Sequence, residues 1–188
     1  MIKIAILASG NGTNAQQISE YFADHEQVKV DCIIYNRKDA YVAERAKKLG
    51  IPAIYYGRKD FFENGKVLSY LKNRGIDWVI LAGFLWLVPE DILAAFPNHI
   101  INIHPALLPK YGGKGMYGHH VHEAVIANHE KESGITIHIV DCHYDKGITL
   151  FQATCPITDE DTPDTLAGKI HLLEKEYFPS IIEKTILG

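Results

Sequence analysis

Cysteine is scarce in this chain. Cys32, Cys142 and Cys155 are odd in number and form no C-x-x-C pair, which argues against a disulfide framework and against a zinc ribbon. No apolar run reaches the roughly 20 residues of a membrane span, and the opening "MIKIAILASG" is too short for a signal peptide and offers no cleavage site. Positive charge is not in excess: 19 Lys and Arg stand against 23 Asp and Glu, a net charge of -4, which speaks against a nucleic-acid or anionic-membrane surface. Repeats, low-complexity segments and linkers are missing as well. What remains is a chain of 188 residues, the size of one domain at about 100–200 residues each, with ordinary hydrophobic content and room for a good core. The expectation is a single domain over 1–188, reduced and cytoplasmic, with no membrane and no nucleic-acid partner.

Alternation is what the sequence does have. Apolar, β-rich runs at 2–9, 28–35, 51–56, 77–84, 99–104, 134–140 and 148–157 read as strands, and amphipathic stretches at 11–22, 40–49, 60–73, 89–95, 119–129 and 163–186 read as helices. Gly50 stops the second helix, while Thr162 caps the last one with Pro163 at its first position. The run at 77–84 is apolar on both faces, as inside a parallel sheet. Strand–helix alternation predicts an α/β, doubly wound fold: a mostly parallel sheet with helices on both faces, Rossmann-like, turning antiparallel near its end.

"ASGNGTNA" (8–15) joins the first strand to the first helix. Glycine lets a backbone approach an oxyanion closely, and free amide hydrogens at a helix N-terminus favour negative charge. The loop lacks the Gly-Lys-Ser/Thr ending of a triphosphate P-loop. It fits the relaxed dinucleotide pattern G-x-G-x-x-A, but Asn36 stands where that pattern wants an acidic group for the ribose. A single phosphate is the better ligand; a tight turn and nothing more is the plainer alternative.

"INIHPALLPKYGG" (101–113) poses the second question. On a strand, period 2 sends the side chains of Asn102 and His104 to one face. Pro105 has no amide hydrogen for a ladder, so the strand should end at His104. An amide and an imidazole then sit at a carboxyl end of the sheet, where open α/β proteins bind ligands; a polar strand end finishing in a turn explains the stretch equally well. Asp145, in the turn "HYDKG", needs no function either. If that turn overhangs the same sheet edge, its carboxylate would raise the pKa of the imidazole. "HHVH" (119–122) hints at metal, but no H-E-x-x-H and no cysteine pair joins it, so surface or packing histidines are expected at His119, His129 and His143.

Taken together and in order, "SGNGTN", "LAGF", "NIHPALLPKY", "HYDKG" and "LLEKEYFP" resemble the phosphoribosylglycinamide formyltransferases, folate-dependent enzymes of purine synthesis, over essentially the whole chain. Formyltransferases acting on methionyl-tRNA and formyl-folate hydrolases share the His-Pro-x-Leu-Leu-Pro element but carry extra domains for which 188 residues leave no room. The resemblance implies formyl transfer from 10-formyltetrahydrofolate, as co-substrate and without a metal, to the amine of phosphoribosylglycinamide. It makes Asn102, His104 and Asp145 the catalytic set. It assigns Gly12, Thr13 and Asn14 to the substrate phosphate, and His171, Leu172, Leu173 and Glu174 to the ribonucleotide's ribose. Phe84, Leu85, Trp86, Leu87, Val88, Asn102, Asp141, Cys142, His143, Tyr144 and Asp145 match the folate-binding stretches. The implied partners are small molecules, and a homodimer is left open.

Trp86 stands where many members carry arginine, "GGKGMYG" (112–118) is longer than usual, and "RKDFFENGK" (58–66) has no clear match to an arginine that some members place near the folate tail. A formyltransferase acting on another amine, such as an amino sugar nucleotide, and a non-catalytic phosphate-binding module are the competing readings.

Overall fold

The computed structural model describes residues 1–142 and 145–188. The chain divides into two compact units, Met1–Ile101 and Asn102–Gly188. In the first, β1 (Ile2–Ala8), β2 (Val28–Tyr35), β3 (Ala53–Tyr55) and β4 (Trp78–Leu81) alternate with α1 (Thr13–Tyr21), α2 (Val42–Leu49), α3 (Arg58–Phe62) and α4 (Lys66–Asn73). α5 (Glu90–Ala95) then leads to β5 (Ile100–His104), the strand in which the division falls. β2 pairs with β1 and β3, and β1 with β4, all parallel. β1 shows why: residues 4–8 are all fully buried, an apolar run without alternation, as a parallel strand covered on both faces requires. Each such Ile or Leu contributes about 1.5–3 kcal/mol by leaving water.

The second unit adds α6 (His119–Ala127), the strands β6 (Glu132–Ile139) and β7 (Thr149–Pro156), and the long α7 (Pro163–Leu187). β6 and β7 are antiparallel, with His138 opposite Thr149 and Thr136 opposite Gln152. The described pairings are therefore parallel first and antiparallel last, the α/β class that strand–helix alternation predicts. α7 begins as its sequence dictates, with Pro163 at N1 and the Thr162 hydroxyl accepting from the Thr165 N–H at 3.2 Å.

Two elements differ from expectation. The helix expected over 60–73 is two helices, because Gly65 takes a left-handed conformation (φ 60) at the N-cap of α4. The strand expected over 77–84 stops at Leu81, since Gly83 has φ 72 and its carbonyl turns to accept from the Ser9 N–H. No helix among the described residues is long and apolar enough to cross a membrane.

Candidate active site

β5 ends at His104, followed by Pro105. His104 is buried, 3 % exposed, and Asn102 on the same strand face is half-buried. Asp145 reaches them from the turn after β6. A Cβ at Gly147 would collide with the Ile139 carbonyl, so only glycine lets this turn fold back against the end of β6. Asp145 itself has φ 54, a conformation that aspartate tolerates. Its Oδ1 lies 3.6 Å from His104 Nδ1 and 3.7 Å from His138 Nε2, and its Oδ2 accepts from the Gly113 N–H at 2.9 Å.

The hydrogen bonds fix the tautomers. His104 Nε2 sits 2.7 Å from the Tyr111 carbonyl, which can only accept, so Nε2 carries hydrogen and Nδ1 is the nitrogen that gains or loses a proton. His138 Nδ1 likewise faces the Ile139 carbonyl at 3.1 Å, which in the neutral ring leaves Nε2 to accept from Asn102 Nδ2 at 3.1 Å. Asn102 is thus joined to the His104–Asp145 pair through His138. The structure brings the three predicted side chains together and places beside them His138, which the sequence reading missed.

One expectation needs correction. Asp145 was expected to lift the His104 pKa above its ordinary value, but burial is the larger effect and lowers it. Asp145 and the Tyr111 carbonyl only offset part of that fall, and the His138 charge adds to it. Burial pushes the Asp145 carboxyl up, yet His138, His104 and the Gly113 N–H outweigh it and hold the carboxyl below the usual carboxylate range.

The other predicted residues divide between the two units. In the first, Gly12 is the N-cap of α1 with φ 77, and Thr13 and Asn14 open the helix. Phe84 and Val88 are buried, Leu85 is exposed, and Trp86 and Leu87 are half-buried. Trp86 packs against Phe61, Phe62 and Phe84 at 5.4–6.1 Å between centroids. The Arg58 guanidinium, just after β3, lies over the Phe62 and Trp86 rings at 4.8 and 5.9 Å. In the second unit, His171 and Leu172 are exposed on α7, Leu173 is half-buried, and Glu174 is buried. Asp141 is half-buried and Cys142 exposed. His143 and Tyr144 lie outside the described residues.

"HHVH" opens α6. His119 and His120 face Glu123 at 3.7 and 3.3 Å, and His119 also faces Asp164 at 3.9 Å. Among the described residues no group of three His, Cys, Asp or Glu is placed to hold a metal ion. His122 is buried, its Nδ1 unpartnered. Burial above all, then His171, His119 and His104, drives its pKa down to about 4. The unfolded chain therefore binds more protons than the native one between about pH 4 and 6.5, and stability falls as pH drops through that window. At about 1.4 kcal/mol per unit, the loss by pH 4 is of order 3 kcal/mol. His122→Leu should flatten this limb in denaturant titrations run from neutral pH down to about 4; parallel curves for the two proteins would refute the assignment.

Residues 2–182 match the formyl transferase family model. The chain belongs to the formyl transferase family. Among its relatives, a protein named phosphoribosylglycinamide formyltransferase from Haemophilus influenzae is 34% identical over 97% of this chain and 86% of its own. A chloroplastic phosphoribosylglycinamide formyltransferase of Arabidopsis thaliana is 38% identical over 98% of this chain, which spans 66% of that protein's length. The crystal structure of phosphoribosylglycinamide formyltransferase from Streptococcus pneumoniae superposes with a TM-score of 0.88 at 34% identity, covering 99% of both chains. This formyl transferase therefore has the Rossmann-like α/β fold of those enzymes.

Beside the candidate site, Thr136 is a further residue absent from the sequence reading. Its hydroxyl donates to the Ala106 carbonyl at 2.7 Å and accepts from the Leu108 N–H at 3.0 Å and Gln152 Nε2 at 2.8 Å. The chain leaving His104 is so pinned to the middle of β6. Period 2 from Thr136 to His138 was the available signal, since both interrupt an apolar strand on the same face.

Proposed function

We propose that this formyl transferase moves the formyl group of 10-formyltetrahydrofolate to the amine of phosphoribosylglycinamide, giving formylglycinamide ribonucleotide and tetrahydrofolate in purine biosynthesis. The observation that carries this reading is the buried His104 facing the Asp145 carboxylate at 3.6 Å, with Asn102 held beside them by His138. A phosphate-binding module has no need of such a set. The names of the relatives support the choice of substrates.

Attack of the neutral amine on the formyl carbon builds an oxyanion and a positive nitrogen. Asn102 Nδ2 gives one hydrogen to His138 and keeps another for the oxyanion. His104, uncharged at rest because it is buried, takes the proton shed by the amine and passes it to the departing folate nitrogen. Asp145 steadies the imidazolium while it exists. Gly12, Thr13 and Asn14 take the phosphate, and His171, Leu172, Leu173 and Glu174 serve the ribose side of the same substrate. Residues 84–88 and 141–145, with Asn102, serve the folate, which the protein orients rather than activates. No step calls for a metal, a nucleic acid or a second copy. Residues 1–188 work as one domain in this reading, since the family match runs across the division at Ile101. Cys32 and Cys155 are buried thiols outside any disulfide, which suits the cytoplasm.

The test is an assay of the purified chain with 10-formyltetrahydrofolate, following release of the deformylated folate with phosphoribosylglycinamide or an amino sugar nucleotide as acceptor. Turnover with the first supports the reading; turnover with the second alone overturns it. Gly12→Val should raise the KM for the ribonucleotide by at least about tenfold and leave folate binding nearly intact. An added Cβ would lie 2.9 Å from the Val42 Cα at φ 77, so the loop itself must move. Calorimetry showing equal losses for both ligands would count against placing the phosphate there.

A further inference from the structure

Arg45, half-buried on α2, matches no substrate-binding position of the family motifs, yet two of its nitrogens bond Asn11 of the glycine loop and the third bonds Gln16 of α1. Nε donates to the Asn11 carbonyl at 2.7 Å, Nη2 to Asn11 Oδ1 at 3.1 Å, and Nη1 to Gln16 Oε1. The neighbouring carbonyls are drawn the same way or into the helix: Gly10 O accepts from Val42 N at 3.2 Å and Gly12 O from Gln16 N at 2.9 Å. In a trans peptide the N–H points opposite to its C=O. With the carbonyls of residues 10, 11 and 12 held by α2 and α1, the N–H groups of Asn11, Gly12 and Thr13 turn away from those partners. Such a row of N–H groups is what an anion binds.

We propose that Arg45 is a positioning residue for the phosphate of the ribonucleotide, fixing the Asn11–Gly12 peptide so that its N–H faces the phosphate. This deepens the reading above and rests on the glycine loop being the phosphate site. Arg45 acts through the loop and need not touch the ligand. The Tyr41 ring, 5.1 Å from the guanidinium carbon, limits its swing. Lysine cannot replace it, because one ammonium cannot serve the Asn11 carbonyl, the Asn11 side chain and Gln16 from fixed directions.

The experiment compares phosphoribosylglycinamide with its phosphate-free counterpart, ribosylglycinamide, as acceptors for the wild type, Arg45→Met and Arg45→Lys. Arg45→Met should raise the KM of the phosphorylated acceptor by about tenfold or more. The KM of the phosphate-free acceptor, the KM of the folate and kcat should stay within about twofold. Arg45→Lys should recover only a small part of the loss. A general structural role would raise both acceptor KM values together; that outcome, or no change in either, overturns the proposal. A wild type indifferent to the phosphate overturns instead the phosphate reading on which it rests.

Discussion

Asp145→Asn should lower kcat by about 10²–10⁴-fold while the KM of either substrate moves far less. The substitution keeps the size of the side chain and a partner for the Gly113 N–H only if the amide oxygen takes the Oδ2 position; what it must lose is the charge 3.6 Å from His104 Nδ1. Burial already holds the imidazole below its ordinary pKa, and the carboxylate is the largest effect working against that. Without it the His104 pKa should drop further, so the imidazolium that must form as the amine sheds its proton becomes costlier. The sign is opposite to that of a histidine stabilised as a cation at rest: burial holds the wild-type His104 toward its neutral form, and in the proposed mechanism the carboxylate matters during turnover. Asp145, held below the usual carboxylate range, is ionised throughout the neutral region and does not titrate there. NMR titration of His104 in both proteins is the direct check. An identical pKa in wild type and Asp145→Asn would mean that the two groups do not interact, leaving Asp145 an ordinary turn residue.

Local chemistry was legible in the sequence and depth was not. Pro105 ended β5 at His104, Gly50 ended α2, and Thr162 with Pro163 began α7, each because one residue type permits or forbids one backbone bond. Period 2 put Asn102 and His104 on one face, which is a property of any strand. The split of α3 from α4 was missed because Asn64-Gly65 sits inside an otherwise helical pattern, and one left-handed glycine suffices to break it. His138 was passed over for a different reason. In "GITIHIV" it reads as the polar member of an alternating strand, whereas it is buried at 2 % exposure and bonded to Asn102. Which residue of a neighbouring segment faces Asn102 depends on pairing 36 positions apart in sequence, and no local pattern encodes it. The direction of the His104 shift failed for the same cause: a nearby aspartate can be guessed from a motif, but the degree of burial that outweighs it belongs to the packed core.

Asn102→Ala should cost about 10²–10³-fold in kcat, the range for removing one oxyanion donor, with the KM of both substrates little changed. The geometry also specifies how that donor is aimed. In the neutral ring, with Nδ1–H given to the Ile139 carbonyl, His138 Nε2 accepts, and the group of Asn102 that it accepts from is the amide nitrogen. The orientation of the amide is thereby set by a backbone carbonyl two bonds removed from the chemistry. Asn102→Asp should do no better than alanine, because a carboxylate facing the Nε2 lone pair has no hydrogen to offer either His138 or a developing oxyanion. His138→Phe keeps a ring in the buried site but removes the acceptor, freeing the amide to rotate; kcat should fall by about tenfold, less than for Asn102→Ala. If His138 acts through Asn102, the double variant should be no worse than Asn102→Ala alone, a coupling that independent roles would not produce. Additive losses in the double variant would separate the two residues and give His138 a task of its own at Asp145, which its Nε2 approaches at 3.7 Å.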